Sequence, residues 1–574
     1  MASVEALLSE RLGRAFEAVI GAPADPMVRR SQHADYQADG ALAAARRVKS
    51  NPRELATRIV AHAELNDLCA AVEISGPGFI NLTIRDNALT RLVIEAAQTG
   101  RLGVEAAATA ETVVVDYSAP NVAKEMHAGH LRSTIIGDAA VRLLEWLGHT
   151  VIRQNHIGDW GTPFGMLIEH LSDLGEDEAA HELSIGDLNG FYRAARVKFD
   201  TSDEFAQRAR RRVVLLQNGD ADTLRKWRLL IDESQKYFMT VYGRLGVRLT
   251  AGDFAGESAY NDDLASVVAE LESVGLASES DGALCVFPQG FQGRDGEPLP
   301  LIVRKSDGGY GYASTDLAAI RHRLRKLGAT RLLYVVGTPQ HQHLDMVFQA
   351  AREAGWLAPP ARAEHVGHGS VLGKDGKMLR SRAGESVRLI DLLDEAVTRA
   401  SAAVAEKNPD LDEATAAAVA RAVGIGAVKY ADLSTDRTKD YVLDYDRMLS
   451  FDGNTGPYLQ YAHARIHSIF RRAGIAPPDS AEGVMITDPA ERALALAILE
   501  FPSAIGEIEQ SLQFHRLATY LFELATAFTR FYEQCPVLKA EAQIRGSRLV
   551  LCALTANLLA TGLDLLGIEA PHQL

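Results

Sequence analysis

The sequence predicts a multidomain α/β protein, with a small N-terminal α+β domain, a central domain built on a parallel sheet, and an all-α C-terminal domain. Three observations carry this prediction. The chain has 574 residues, too many for one hydrophobic core. From about residue 111 to 400, short β-branched runs alternate with helical patterns, as parallel strands joined by helical crossovers do. Beyond about residue 405 nearly everything is helical, and "FDGNTGP" (451–457) is the one clear break.

The expected boundaries are 1–110, 111–400 and 401–574. The first domain opens on helices ("EALLSERLGRAFEAVI", "GALAAARRVKSNPRELATRIVAHA"). A strand, a Gly-Pro-Gly turn and a second strand follow in "AAVEISGPGFINLTI". A Gly- and Ala-rich joint, "TGRLGVEAAATAE", leads into the central domain. Its expected parallel strands are "TVVVDY", "HTVIRQNH", "CVFP", "LIVRK", "RLLYVVG" and "EHVGHG". Residues 173–280, charged and mostly helical, read as an insertion between two halves of that sheet.

Composition narrows the function classes. Hydrophobic residues make up 47% and charged residues 24%, an ordinary soluble balance. The N-terminus is an amphipathic helix pattern and does not resemble a signal peptide. The most apolar late stretch, "LVLCALTANLLATGLDLLGI", is interrupted by Asn557 and Asp564, so it reads as a packed helix and not a membrane span. Cys69, Cys285, Cys535 and Cys552 lie far apart, which argues against a disulfide framework or a Cys-type zinc site and for a reducing cytoplasm. The net charge of −15 disfavours indiscriminate nucleic-acid binding. Local basic patches, "RARRR" (208–212) and "RHRLRKLGATR" (321–331), are either partner sites or solvated helix faces.

The stretch "PNVAKEMHAGH" (120–130) joins the first of these strands to a helix. A helix N-terminus favours negative charge and has unpartnered N–H groups, so this is a phosphate-binding arrangement. His127 and His130 are three apart and share one face of the first turn. Gly129 between them leaves room for a flat ring, and Lys124 reaches toward phosphate oxygens. A zinc pair is the rival reading, but no third ligand is near in sequence, so no metal is expected there. Two purely structural histidines are the other alternative.

The longer context is closely matched. "VVVDYSAPNVAKEMHAGHLRSTIIGDAAVRLLEWLGHTVIRQNHIGDWGTPFG" resembles the class I arginyl-tRNA synthetases, in which P-N-x-A-K-x-x-H-x-G-H carries the class signature. "GPGFINL" (76–82), "YGYASTDLAAIRHR" (310–323), "YVVGTPQHQHL" (334–344), "GKDGKMLRSRAGESVRL" (373–389), "MLSFDGNTGPYLQYAHARI" (448–466), "FYEQCPVL" (531–538) and "LLGIEAP" (565–571) resemble that family in its order. The resemblance runs from about residue 30 to the end and is weakest over 173–280.

The resemblance implies a Rossmann-like catalytic domain, a helical anticodon-binding domain, and an N-terminal domain that contacts the tRNA elbow. It implies activation of L-arginine with ATP and Mg2+, transfer to tRNA(Arg), no tightly bound cofactor, no membrane, and a monomer whose arginine activation depends on bound tRNA. Lys124, His127 and His130 would form half of a catalytic cradle. The other half would be the class's basic mobile loop, laid either on "KMLRS" (377–381) or on "MLRSR" (378–382), with Lys377, Arg380 and Arg382 as its cations. Lys124 is thought to compensate in this family for the loop's missing second lysine. ATP would touch His127, Gly129, His130, Lys377 and Met378.

The arginine pocket implied by the family comprises Asp116, Ser118, Asn121, His127, Tyr312, Asp316 and Gln340. A planar guanidinium needs a carboxylate partner, and Asp316 is the matched one. Read without the family, Asp316 would pass for a helix N-cap before "LAAIRHRL". Tyr458 and Tyr461 could stack on anticodon bases, or could simply be buried in a helical bundle. Two departures stand out: Pro163 where many members have glutamine, and Asp39 in "HADYQADG" where an asparagine is expected nearby. Two rival functions remain, a small-molecule nucleotidyltransferase and a non-catalytic RNA-binding relative. The long helical C-terminal third argues against the first, and the joint presence of Lys124, His127, His130, Asp316 and the basic loop argues against the second.

Overall fold

Val113, Val114 and Val115 are each fully buried, as a strand covered on both faces requires. Their strand, Thr112–Asp116, sits in a four-stranded parallel sheet between Thr150–Gln154 and Arg331–Tyr334, with Arg362–His365 at the outer edge beyond Arg331–Tyr334. The chain therefore lays its third strand on the opposite side of the first from its second. The segments leaving Thr112–Asp116 and Arg331–Tyr334 diverge, and the crevice beyond such strand ends is where open parallel sheets bind ligands. The computed structural model describes residues 3–175, 188–379, 387–478 and 480–574.

Two compact units are present: Thr109–Ala403 with Gly424–Leu449, and Met1–Ala108 with Val404–Val423 and Ser450–Leu574. The first holds the parallel sheet. Behind the crevice, helix Ala128–Leu147 is buried along most of its length. A Cβ on its Gly137 would lie 2.3 Å from the Tyr117 side chain, so only glycine lets helix and strand end approach this closely. Arg132, on the same helix, is buried with its Nε donating to Asp432 at 3.2 Å.

Two expected parallel strands are corrected. "CVFP" and "LIVRK" contribute Ala283–Val286 and Leu301–Arg304, and these form a separate antiparallel sheet with Ala277–Ser280. The reason lies in the turn. Asp281 and Gly282, with φ of 48° and 73°, connect Ala277–Ser280 to Ala283–Val286 in two residues, and an Asp-Gly turn of that hand makes a hairpin. A parallel neighbour would need a long crossover.

In the insertion, helices Leu188–Thr201, Asp203–Gln217 and Ala221–Leu245 follow one another, the last two capped by Ser202 and Asp220. Several cations of the two basic patches are paired within the fold, while Arg210, Arg211, Arg325 and Lys326 are exposed. Arg208 and Arg212 pair with Asp173 and Glu169; Arg321 and Arg325 pair with Glu270, Arg323 with Asp116, and Arg331 with Glu364.

In the other unit, a four-stranded antiparallel sheet runs in the order Val28–Arg30, Tyr36–Ala38, Phe79–Ile84, Cys69–Ser75. Residues 1–110 and most of 401–574, which the sequence suggests as separate domains, share this unit. Arg492 grips Asp35 with two 2.7 Å hydrogen bonds and also donates to Asp86 and the Ile84 carbonyl. Tyr36 donates to Glu500. Helix Ala542–Leu565 is long and apolar enough to cross a membrane by composition, but most of its residues are buried inside its own unit.

Candidate active site

The loop leaving Thr112–Asp116 is strained and held. Ser118, Ala119 and Ala123 all have positive φ (73°, 46° and 57°), a conformation costly for side-chain-bearing residues. Three side chains accept their backbone N–H groups: Ser133 from Ser118 (2.9 Å), Asn155 from Ala119 (3.0 Å) and Ser234 from Ala123 (2.9 Å). Tyr242 ties Ser118 Oγ and Asn155 Nδ2 together at 2.8 Å each. Gly158 packs so closely that a Cβ would stand 2.5 Å from Asn121 Oδ1. The loop is thus prearranged by its surroundings.

His127 caps helix Ala128–Leu147, and the two histidines form a reciprocal capping box. His127 Nδ1 accepts from the Gly129 N–H at 3.0 Å, and His130 Nδ1 accepts from the His127 N–H at 3.1 Å. An Nδ1 that accepts cannot carry a proton, so each neutral ring holds its proton on Nε2. Burial lowers the pKa of both rings, with the neighbouring Lys124 charge adding to it at His127; His130 is pushed down to about 3. Both are neutral Nε2–H donors near pH 7.

One expectation is corrected here. The first-turn N–H groups are not free for an anion: Ala128 donates to the Val387 carbonyl, Gly129 to the His127 ring and His130 to the His127 carbonyl. The donors that remain for a ligand are the imidazoles. Gly129 also has a second reason to be glycine, because a Cβ would lie 2.7 Å from the His127 ring.

His127 borders two cavities. The larger, about 520 Å3, is lined by Asn121, Lys124, Glu125, Met126, His127 and His130 from the loop, Asn189, Tyr192 and Arg193 from the insertion, and Arg388. Lys124 Nζ lies 4.3 Å above the Tyr192 ring, a cation–π contact that steers the ammonium. Glu125 is buried, accepting from Asn189 at 2.7 Å and from Arg388 at 3.4 Å. The smaller cavity, about 230 Å3, is lined by His127, Gly129, Arg132, Gly337, His368 and Met378, among others. It is the more apolar in character. Residues Val387 and Leu389 hydrogen-bond to Ala128 and Met126, which returns the chain after 380–386 to the histidines.

A cluster of acids lies in the same unit. Asp316 is one turn inside helix Tyr312–Arg325, whose N-cap is Gly311, so Asp316 is not the cap. It accepts from His343 Nε2 at 2.6 Å, and this contact raises the His343 pKa. Burial, with the charges of Asp159 and Asp316, pushes Glu257 up to about 8. Asp159 is raised by burial as well, though it accepts from Ser258 N and Oγ. Carboxyl groups crowded this way favour a cation among them.

The other sequence-derived residues divide. Asp116 is buried and its Oδ2 accepts from Arg323 at 2.7 Å, so the fold itself compensates this charge. Ser118 is buried in the Tyr242 and Thr134 hydrogen-bond network. Tyr312 is 74% exposed, and Gln340 and Lys377 are exposed. Lys377 donates its backbone N–H to Asp375 in a tight turn, and Met378 pairs with Leu372. Arg380, Ser381 and Arg382 lie outside the described residues. Tyr458 and Tyr461 are half-buried, Tyr458 packed on Phe522 and Tyr461 beneath the Lys407 ammonium at 4.5 Å.

Sequence reasoning missed Asn189, Tyr192, Arg193, Arg388, Glu257 and His343. The first three sit on a charged helix with no motif of its own. A signal for His343 was available, since "QHQH" begins the helix facing Asp316's.

The chain is similar to known proteins along its whole length. Residues 93–445 match the family model "tRNA synthetases class I (R), catalytic domain", 459–574 "DALR anticodon binding domain" and 3–84 "Arginyl tRNA synthetase N terminal domain". The arginine–tRNA ligase of Thermobifida fusca (strain YX) is 57% identical over 578 residues, covering 100% of both chains. The crystal structure of arginyl-tRNA synthetase from Plasmodium falciparum superposes with a TM-score of 0.86 at 29% identity, and that of Thermus thermophilus with 0.82 at 27%, each covering 100% of both chains.

Proposed function

The chain belongs to the arginyl-tRNA synthetase family of class I, and from that premise we propose that the paired cavities around His127 are where it joins arginine to ATP. Its activity is arginine–tRNA ligation: it charges tRNA(Arg) with arginine, with ATP as a substrate. The residue roles are our assignment. The observation that carries it is a cationic cavity in an acidic protein: Lys124, Arg193 and Arg388 line one space with two neutral imidazole donors.

In this reading the adenine side of ATP occupies the smaller cavity, against Gly129, Gly337 and Met378. The α-phosphate lies at the His127 and His130 Nε2–H groups, where the arginine carboxylate attacks and pyrophosphate leaves. Negative charge spreads over phosphate oxygens at that moment, and prearranged donors stabilise it without having to reorganise. Lys124, steered by Tyr192, supplies the mobile cation, and Lys377, Arg380 and Arg382 supply the loop's share. Asn121 orients the amino acid. Asp316, held by His343, receives the guanidinium, and Glu257 ionises beside it once that positive charge arrives. A guanidinium-specific polar pocket rejects lysine by geometry, so no editing step is needed.

Mg2+ enters with the triphosphate. Among the described residues, the one carboxylate lining the larger cavity is Glu125, which already accepts hydrogen bonds from Asn189 and Arg388, so we assign no separate protein cage for the ion. We also read the chain as a cytoplasmic monomer with no membrane partner. Its four cysteines are free and buried, which supports a reducing compartment. Tyr458 and Tyr461 remain our candidates for anticodon contact.

The test is ATP–pyrophosphate exchange with each amino acid, with and without tRNA(Arg). Exchange is expected with arginine alone among amino acids, and only when tRNA is present. Exchange with another amino acid would overturn the pocket assignment, and full exchange without tRNA would overturn the dependence.

A further inference from the structure

We propose that His463, His467 and His572 bind a divalent late first-row ion of the zinc class, and that this ion clips the chain at His572 to helix Gly456–Ala473. The three residues lie within one compact unit, far in sequence from the histidines that border the cavities. His463 and His467 are four apart on that helix and so share a face. One ligand atom from each of the three rings comes within 4.8 Å of the others.

The details favour a metal over mere packing. His463 is 2% exposed and its Nδ1 stands 3.0 Å from the Pro571 carbonyl, to which it donates. That bond fixes the tautomer and leaves the Nε2 lone pair free, as partners of metal-bound histidines do. Without an ion, that lone pair accepts from His467 Nε2–H at 3.2 Å. Two nitrogens bound tetrahedrally at Zn–N of about 2.0–2.1 Å would stand about 3.3–3.4 Å apart, so the helix already holds the pair at nearly the chord of a zinc site. His572 stacks on His467 with centroids 4.0 Å apart; it is exposed, so its ring can turn toward the pair without disturbing the core.

The flanking chain is positioned independently of any ion. Arg471 donates to the His572 carbonyl at 2.8 Å, and Gln460 donates to the Glu569 carbonyl at 2.8 Å. On binding, His467 shifts its proton from Nε2 to Nδ1, which frees its Nε2 lone pair for the ion. Three imidazoles with a fourth position open to solvent suit zinc, cobalt or nickel better than magnesium or calcium.

The experiment uses the full chain after chelator treatment. Co2+ is titrated while its visible absorption is followed, then displaced by Zn2+. The parent is expected to take up one ion per chain with the tetrahedral spectrum. H467N and H572N should both lose that spectrum and bind Zn2+ on the order of tenfold or more weaker. Both replaced rings are at least partly exposed, and metal-free melting curves check that the variants fold. Zinc should raise the melting temperature of the parent and of neither variant. No saturable uptake by the parent, or undiminished affinity in either variant, would overturn the proposal.

Discussion

Replacing Asp316 with asparagine keeps the side chain's shape and removes its charge. Asp316 accepts from His343 at 2.6 Å and is about one-fifth exposed, so it is partly desolvated before any ligand arrives. A hydrogen bond to a charged group contributes about 1.5–3 kcal/mol, which corresponds to roughly 10- to 150-fold in arginine affinity. Partial exposure places the expectation in the lower half of that range. The assay is tRNA charging across an arginine titration, with ATP titrated in parallel. The KM for arginine should rise while that for ATP stays nearly constant. A stability measurement provides an internal check. The His343 pKa is raised by its partner, so the pair stabilises the fold fully below the unfolded histidine value of about 6.5 and is lost as pH rises through the folded value. The gap between parent and Asp316→Asn should therefore be wider at pH 6 than at pH 9. An unchanged arginine KM would refute the pocket assignment, and a gap independent of pH would refute the ion pair.

Other expectations are as direct. Lys124→Ala and His127→Ala should each slow adenylate formation by about 10²–10³ with tRNA affinity nearly intact, measured by single-turnover kinetics; normal activation in both would remove the phosphate role. Tyr192→Leu, which frees the Lys124 ammonium, should cost a smaller factor, about 2- to 30-fold in the same assay, from a cation–π contact of about 0.5–2 kcal/mol. Burial holds His130 near 3, so the unfolded chain takes up this proton first and stability falls as pH drops from about 6.5 toward 3; the loss at pH 5 is about 2 kcal/mol, and His130→Asn should flatten that part of the denaturation profile. Gly282→Val forces a branched residue to a φ of 73° and should lower stability by about 1–2 kcal/mol in urea melts, with tRNA charging preserved.

Much of the site could be read from the chain because its chemistry is local. A strand, a short loop and a helix opened by His127 and His130 are contiguous, and local hydrogen bonds such as the capping box need only three residues of separation. The alternation of strands and helices likewise settled the class of the central sheet, since crossover length decides strand direction. The same rule, applied to Asp281 and Gly282, would have shown that "CVFP" belongs to a hairpin; the Asp-Gly signal was present in the sequence. Which charges are spent and which are free was decided only in three dimensions. Asp116 and Asp316 read alike as acids beside a strand end and in a helix, yet one is cancelled by Arg323, 207 residues away, and the other is held by His343. In the basic patches, Arg208, Arg212 and Arg321 are met by Asp173, Glu169 and Glu270, whereas Arg210 and Arg211 stay exposed. Arg193 and Arg388 join Lys124 in one cavity although no spacing connects them. Sequence patterns report interactions within a turn or a strand pair, whereas the balance of charge in a crevice sums over groups that only folding brings within a few ångströms.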